Sequence, residues 1–225
     1  MKIDLHCHSY YSDGISSPYK LIKGALKKGL DGIAITDHGT MRGWREVKKT
    51  ADNGLFLIPG EEISTKQGDI LALFLRKEIN GEGKDITEVA KEIKNQKGIV
   101  IIPHPFNRPK RFEKLENYLD IIDGIEVLNA RWPFVSPDKK ALSFAKHNNL
   151  AMTGGSDAHY YKEVGYSYTR AENAKNLDDF KNAILKKQTK AEGKKAPLRY
   201  LSLRPLAIWG FRGFYLRSKI MLSQK

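Results

Sequence analysis

Short apolar runs alternate with amphipathic stretches along most of the chain. Ile3 and Leu5 alternate with Lys2, Asp4 and His6, a period of two that predicts a strand over 2–8 with Asp4, His6 and His8 on one face. Ser17-Pro18 opens a helix to about residue 28, with Leu21, Ile22 and Leu26 as its apolar stripe and Gly29 as its stop. The same rhythm predicts strands over 32–36, 55–58, 70–75, 99–102, 124–128 and 150–153. Between them it predicts helices over 42–51, 86–96, 111–119 and 138–147, and a closing helix over 177–187. Residues 80–84 read as a polar loop, and there is no internal repeat or low-complexity segment.

Strands alternating with helices imply a parallel sheet, and the number of units favours a closed barrel over an open sheet. A length of 225 residues suits one such barrel. We place the barrel at 1–192 and a separate tail at 193–225. In barrels of this kind the loops after the strands share one rim, where sites are built. Here each of five polar clusters falls at the end of an apolar run: His6-Cys7-His8, Asp37-His38, Glu61-Glu62, Pro103-His104-Pro105 and Ser156-Asp157-Ala158-His159.

Five of the six histidines, His6, His8, His38, His104 and His159, thus fall at strand ends, with Asp13, Glu62, Asp69 and Asp157 beside them. Two imidazoles two residues apart on a strand can share one cation. Imidazole and carboxylate without thiolate suit zinc, manganese or iron, and this many donors suggests more than one ion. Taken singly each residue has a plainer role: Asp13 before Gly14 as a turn residue, Asp157 as a helix cap, Glu62 as an exposed acid. Their shared topological position is what argues for a common site. His147, among Lys146 and Asn148, reads as a solvated residue in mid-helix.

Formal net charge is +13, and it is unevenly spread. Residues 193–225 hold eight Lys or Arg and no Asp or Glu. Tyr200, Trp209, Phe211, Phe214 and Tyr215 are interleaved with Arg204, Arg212 and Arg217. Such a tail fits contact with single-stranded nucleic acid or an anionic membrane surface through 199–225, or packing of its aromatics on the barrel or a second subunit. No run approaches the roughly 20 apolar residues that span a bilayer. Cys7 is the one cysteine, read as a buried thiol, so a disulfide framework is excluded and a reducing cytoplasm is the expected compartment.

The motifs DLHCHS at Asp4 to Ser9, TDHG at Thr36 to Gly39, GEEIS at Gly60 to Ser64, PHP at Pro103 to Pro105 and SDAH at Ser156 to His159 resemble, in order and spacing, the polymerase and histidinol phosphatase (PHP) phosphoesterases. The resemblance covers roughly residues 1–189. It implies a distorted (β/α)7 TIM-like barrel with a trinuclear metal centre. One ion would be held by His6, His8, Glu62 and Asp157, a second by Glu62, His104 and the residue at 69, and a third by Asp13, His38 and His159. Asp69 stands where such proteins usually carry histidine. Asp13 matches the shorter branch, which acts on nucleotides and oligonucleotides.

The implied activity is metal-dependent hydrolysis of phosphate esters, with His159 and Asp157 as catalytic candidates and two or three manganese, zinc or iron ions per chain. Alternatives are a small-metabolite phosphatase of the histidinol-phosphate type and a non-catalytic nucleic-acid-binding module. A phosphate-sized anion also needs cations beyond the metal ions, for which Arg108, Arg131 and Arg170 are the candidates. Asp4, Asp37, Glu126 and Asn129 are candidates to orient imidazoles and waters.

Overall fold

The computed structural model describes residues 1–48, 54–107, 112 and 114–201. Its strands are β1 Lys2–Asp4, β2 Gly32–Ile35, β3 Phe56–Ser64, β4 Asp69–Leu73, β5 Ile99–Ile102, β6 Gly124–Asn129, β7 Ala151–Gly155, β8 Ser167–Arg170 and β9 Lys190–Gly193. The helices are α1 Pro18–Lys27, α2 Arg42–Val47, α3 Ile86–Asn95, α4 Ser136–His147, α5 Leu177–Leu185 and α6 Leu198–Leu201. All nine strands join one sheet in the order β7-β6-β5-β4-β3-β2-β1-β8-β9.

The sheet curls into a nearly closed barrel. Past the end of β1 the chain meets the segment after β7, where His8 N–H donates to Ala158 O (2.8 Å) and Ala158 N–H to His6 O (3.3 Å). Lower down, side-chain hydroxyls stitch the seam: Thr169 Oγ1 bonds both Gly154 N–H and Gly154 O, and Ser167 Oγ donates to Leu128 O. Helix α1 starts as its sequence predicts. The Ser17 side chain accepts from Lys20 N–H, Pro18 fills the first turn, and Leu21, Ile22 and Ala25 are buried against Ile33 and Ile35 of β2. Helices α3 and α4 cover Ile70, Ala72, Val100, Ile102, Ile125 and Val127. Inside, Ile3, Leu5, Ala34, Ile58, Leu71 and Ile101 form a second cluster that Phe180 and Ile184 of α5 join. Strands buried on both faces read as continuous apolar runs, as these do.

The expectation of an all-parallel sheet needs correcting. Pairs β1–β2, β2–β3, β5–β6 and β6–β7 are parallel, but β4 is antiparallel to both β3 and β5, and β8 is antiparallel to β1 and β9. A parallel return needs a crossover of a dozen or more residues. Thr65 to Gly68 make a tight turn instead, with Thr65 N–H donating to Gly68 O (2.9 Å) and Gly68 at φ 157°. Strand β3 also runs on through Gly60-Glu61-Glu62, which the sequence reading left outside it. The expected strand over 2–8 stops at Asp4, leaving only a single bridge between Cys7 and Ala158. A 3-10 turn at Leu115–Tyr118 stands where a helix over 111–119 is expected. His147 ends α4 instead of lying within it. Among the described residues no helix is long and apolar enough to cross a membrane.

Strand alternation separates the two adjacent acids of β3. Glu62 pairs across from inward-facing Leu71, and Glu61 from Ala72, which faces the helices. Glu61 is not a solvated acid: it is fully buried and accepts the Ile79 N–H at 2.7 Å. Burial, with the nearby Glu78 carboxylate, pushes its carboxyl up to about 7. The folded chain therefore prefers the neutral acid, while the unfolded chain ionises near the ordinary value of 4.5. Stability from this group is full below that value and falls as pH rises towards 7, a change on the order of 3 kcal/mol. We expect Glu61→Gln to match the wild type in urea unfolding at pH 4 and to exceed it by about 1–3 kcal/mol at pH 8. A gap between the two that does not change with pH would contradict this.

Candidate metal centre

The nine candidate donors gather at one mouth of the barrel. His6 and His8 follow β1, Asp13 lies in the next loop, His38 follows β2, and Asp157 and His159 follow β7. Glu62 lies within β3 and Asp69 opens β4. Because β4 runs antiparallel, its first residue sits beside the end of β3, paired with Ser64, so the hairpin brings Asp69 to the same rim. His104 and Asp157 hold left-handed backbone, φ 30° and 53°, a strain of the kind that functional sites retain.

Glu62 is the hub. Its Oε2 lies 3.3 Å from His6 Nε2, 3.3 Å from His8 Nε2 and 3.4 Å from His38 Nδ1, and its Oε1 lies 3.4 Å from His104 Nε2. Asp157 Oδ1 is 3.5 Å from His8 Nε2 and 3.8 Å from His6 Nε2. Asp13 lies 3.1 Å from His159 Nε2 and 3.7 Å from His38 Nε2. Good N–H···O bonds run from 2.7 to 3.2 Å, so most of these contacts are long for hydrogen bonds. They suit donors around a shared cation: tetrahedral ligands about 2.1 Å from an ion stand about 3.4 Å apart.

Four groups have all their donor atoms within 4.8 Å of one another: His6-His8-Glu62; Glu62-Asp69-His104; His6-His104-Asp157; and His8-Asp13-His38-His159. His8 Nδ1 and Nε2 and Glu62 Oε1 are buried without a hydrogen-bond partner among the described residues. Buried polar atoms are costly in that state. Both the donor chemistry and the orphaned atoms therefore fit divalent cations.

A second layer of bonds aims these donors. Glu126 Oε1 lies 3.2 Å from His6 Nδ1, which turns Nε2 towards Glu62 and Asp157, and Glu126 Oε2 accepts from His104 N–H and Asn129 Nδ2. Asn129 Nδ2 also reaches Asp157 Oδ2 at 3.3 Å. His159 Nδ1 lies 2.9 Å from Asp157 O. Asp37 caps no helix: it accepts from Ser9 N–H, Ser9 Oγ and Ser12 Oγ, fixing the loop that leads from His8 to Asp13. Asp4 does not join the imidazoles, since its carboxylate takes the N–H groups of Ser156, Gly165 and His6. The strands approach so closely here that a Cβ on Gly155 would lie 2.5 Å from both Glu126 Oε1 and His6 Cβ. Gly155 has a reason to be glycine that the sequence alone does not reveal.

The arginines fare differently. Arg131 Nη1 bonds both oxygens of Glu163 (2.9 and 3.0 Å), and Glu163 in turn accepts from His159 N–H and Tyr160 N–H. Through Glu163, Arg131 braces the loop of His159. Arg170 pairs with Lys2 at the start of β1 in the ladder and bonds Glu192, which places it at the end of the barrel away from the donors. Arg108 and residues 202–225 lie outside the described residues. Glu163 went unnoticed in the sequence because nothing in Tyr-Lys-Glu-Val marks it.

Electrostatics bind the cluster together. Burial alone would lower the His6 imidazole, but the carboxylates of Asp157, Glu126 and Glu62 outweigh it and hold His6 well above its usual range. His104 is raised against burial by Glu62 and Asp157. Conversely, burial would raise Glu62 and Asp157, and the imidazoles, His6 first, hold both well below the usual carboxylate range. The carboxylates of the site therefore favour protonation of His6 and His104.

Residues 137–189 match the family described as PHP-associated. An uncharacterized protein of Methanocaldococcus jannaschii is 37% identical over 178 residues, 76% of this chain and 70% of the relative. A 5'-3' exoribonuclease of Haemophilus influenzae is 46% identical over 65 residues, 28% of this chain and 24% of that protein. Among solved structures, a two-domain protein of Bacteroides vulgatus containing a predicted PHP-like metal-dependent phosphoesterase aligns at TM-score 0.76 and 25% identity over 86% of this chain. The chain spans 65% of that protein's length. The chain thus belongs to the PHP family of metal-dependent phosphoesterases.

Protons and ions compete for the same imidazoles, so metal affinity should rise with pH. We expect chelator competition with manganese or zinc to give tighter binding at pH 8 than at pH 6, with protons released on loading. An affinity independent of pH would exclude His6 and His104 as ligands.

Proposed function

We propose that the chain hydrolyses phosphate esters of nucleotides or short oligonucleotides with two or three divalent ions held at the barrel mouth. The observation that carries this reading is the convergence on Glu62 of four imidazoles at 3.3–3.4 Å. His6, His8, Glu62 and Asp157 would hold one ion, Glu62, Asp69 and His104 a second, and Asp13, His38 and His159 a third. Ions at such a site neutralise phosphoryl oxygens and acidify a water so that hydroxide is available near neutral pH.

The chain's own residues do the rest. Glu62 presents its two oxygens to different imidazoles and so would serve two ion positions. Glu126 accepts from His6 Nδ1 and leaves the Nε2 lone pair for the ion. The same logic applies to His159: with Nδ1–H given to Asp157 O, Nε2 is the lone-pair side. That supports a ligand over a proton donor. The rim supplies surfaces for a base. Tyr10 is 44% and Phe134 63% exposed, Trp132 packs edge-on to Phe134, and the Arg42 guanidinium lies 4.7 Å from the Tyr11 ring centre. Aromatic faces and cations of this kind suit stacked bases and phosphates, and the exoribonuclease relative supports the same substrate class. The full donor set argues against a binding module that has lost catalysis.

A screen of nucleotides, bisphosphates, histidinol phosphate and 5'-phosphorylated oligomers, run with manganese and zinc, tests the reading. Turnover is expected on nucleotides or short oligomers. His8→Ala and Asp157→Ala should each lower it by at least about a hundredfold, more than loss of an orienting partner costs. Preference for histidinol phosphate would move the assignment to the small-metabolite branch, and ion binding without any hydrolysis would move it to the module.

A further inference from the structure

Beyond β9 the chain runs on beside the residues that precede β8 and follow β6. Lys194 N–H donates to Tyr166 O (2.7 Å) and Ala196 N–H to Ala130 O (2.8 Å). Between them Lys195 turns its ammonium inward, where Nζ donates to Asn129 O at 2.8 Å and pairs with the buried Asp138 carboxylate of α4. Asp138 also takes the Asn129 main chain. Asn129 cannot adjust by rotating: its Oδ1 accepts from Arg131 N–H and Trp132 N–H at 3.1 Å. Its Nδ2 is committed to Glu126 and Asp157.

We propose that Lys195 is a positioning residue for the metal centre, acting through Asn129 to hold the carboxylates of Glu126 and Asp157 where they can aim His6 and take an ion. This rests on the reading of the cluster as a metal site. Stability is a poor reason for the arrangement, because a buried ion pair can commonly be replaced by apolar residues at no loss. What an apolar pair cannot do is fix the Asn129 carbonyl. A shift of that peptide moves Nδ2 away from two carboxylates at once.

The test compares three variants by chelator-competition affinity for manganese and zinc and by the thermal midpoint of the metal-free chain. Lys195→Met with Asp138→Leu removes the pair without stranding a charge. It should keep a near wild-type midpoint and bind ions roughly tenfold more weakly, the lower end of what lost outer partners cost. Asp138→Asn still offers an oxygen to the Asn129 main chain and leaves Lys195 on the carbonyl, so its midpoint should fall while its affinity holds. Lys195→Arg, which can span the same two acceptors, should restore most of the affinity. Wild-type affinity in the apolar double variant would overturn the proposal alone, as would affinity that merely follows the midpoint across all three. A wild-type chain that binds no ion would overturn the metal-centre reading and the proposal with it.

Discussion

One buried carboxylate facing four imidazoles is the constraint around which this molecule is arranged. Glu62 is 2% exposed, and a single carboxylate cannot form good hydrogen bonds to nitrogens from His6, His8, His38 and His104 together at 3.3–3.4 Å. In a medium of low dielectric such a gathering persists only if its charges balance. Protons, favoured on His6 and His104 by the neighbouring carboxylates, would supply the balance in one state, and cations shared between the donors would supply it in another. Binding of ions, release of protons and the integrity of the barrel mouth would thus be one coupled equilibrium.

The fold departs from a regular parallel barrel at the places this cluster requires. The β3–β4 hairpin puts Glu62 and Asp69 side by side, which a helical crossover would have set strands apart. The bridge between Cys7 and Ala158 joins the first and last motifs, so that His6 and His8 meet Asp157 and His159 although some 150 residues separate them. Left-handed backbone at His104 and Asp157 turns those side chains towards the centre at a strain that the surrounding bonds hold in place.

Which parts were legible in the sequence follows from which signals are local. Apolar runs and helix caps depend on neighbours along the chain, and Ser17-Pro18 or Ile99 to Ile102 read correctly for that reason. Histidines at the ends of such runs were also visible. The direction of β4 was missed because its apolar run looks the same either way, although the short link from Thr65 to Gly68 already left no room for a crossover. Strands β8 and β9 escaped because Ser-Tyr-Thr-Arg and Lys-Ala-Glu-Gly carry no apolar alternation. Arg131 and Arg170 looked like free cations, and only the structure reveals Glu163 and Glu192 beside them.

The division of labour along the chain carries a further consequence. Most donors come from the first half, at residues 6, 8, 13, 38, 62, 69 and 104, whereas Glu126, Asn129 and Glu163, which aim several of them, come from the second. His6 meets Glu126 across 120 positions of sequence, and Asp4 meets Ser156 across 152. An early fragment would hold the ligand types without the means to orient them, and loop closure over such separations is entropically costly before it is rewarded. On the proposed reading, high affinity for ions would require the closed barrel, and by linkage bound ions would stabilise closure by the same free energy. A metal centre here would then be as much the last piece of the fold as the seat of its chemistry.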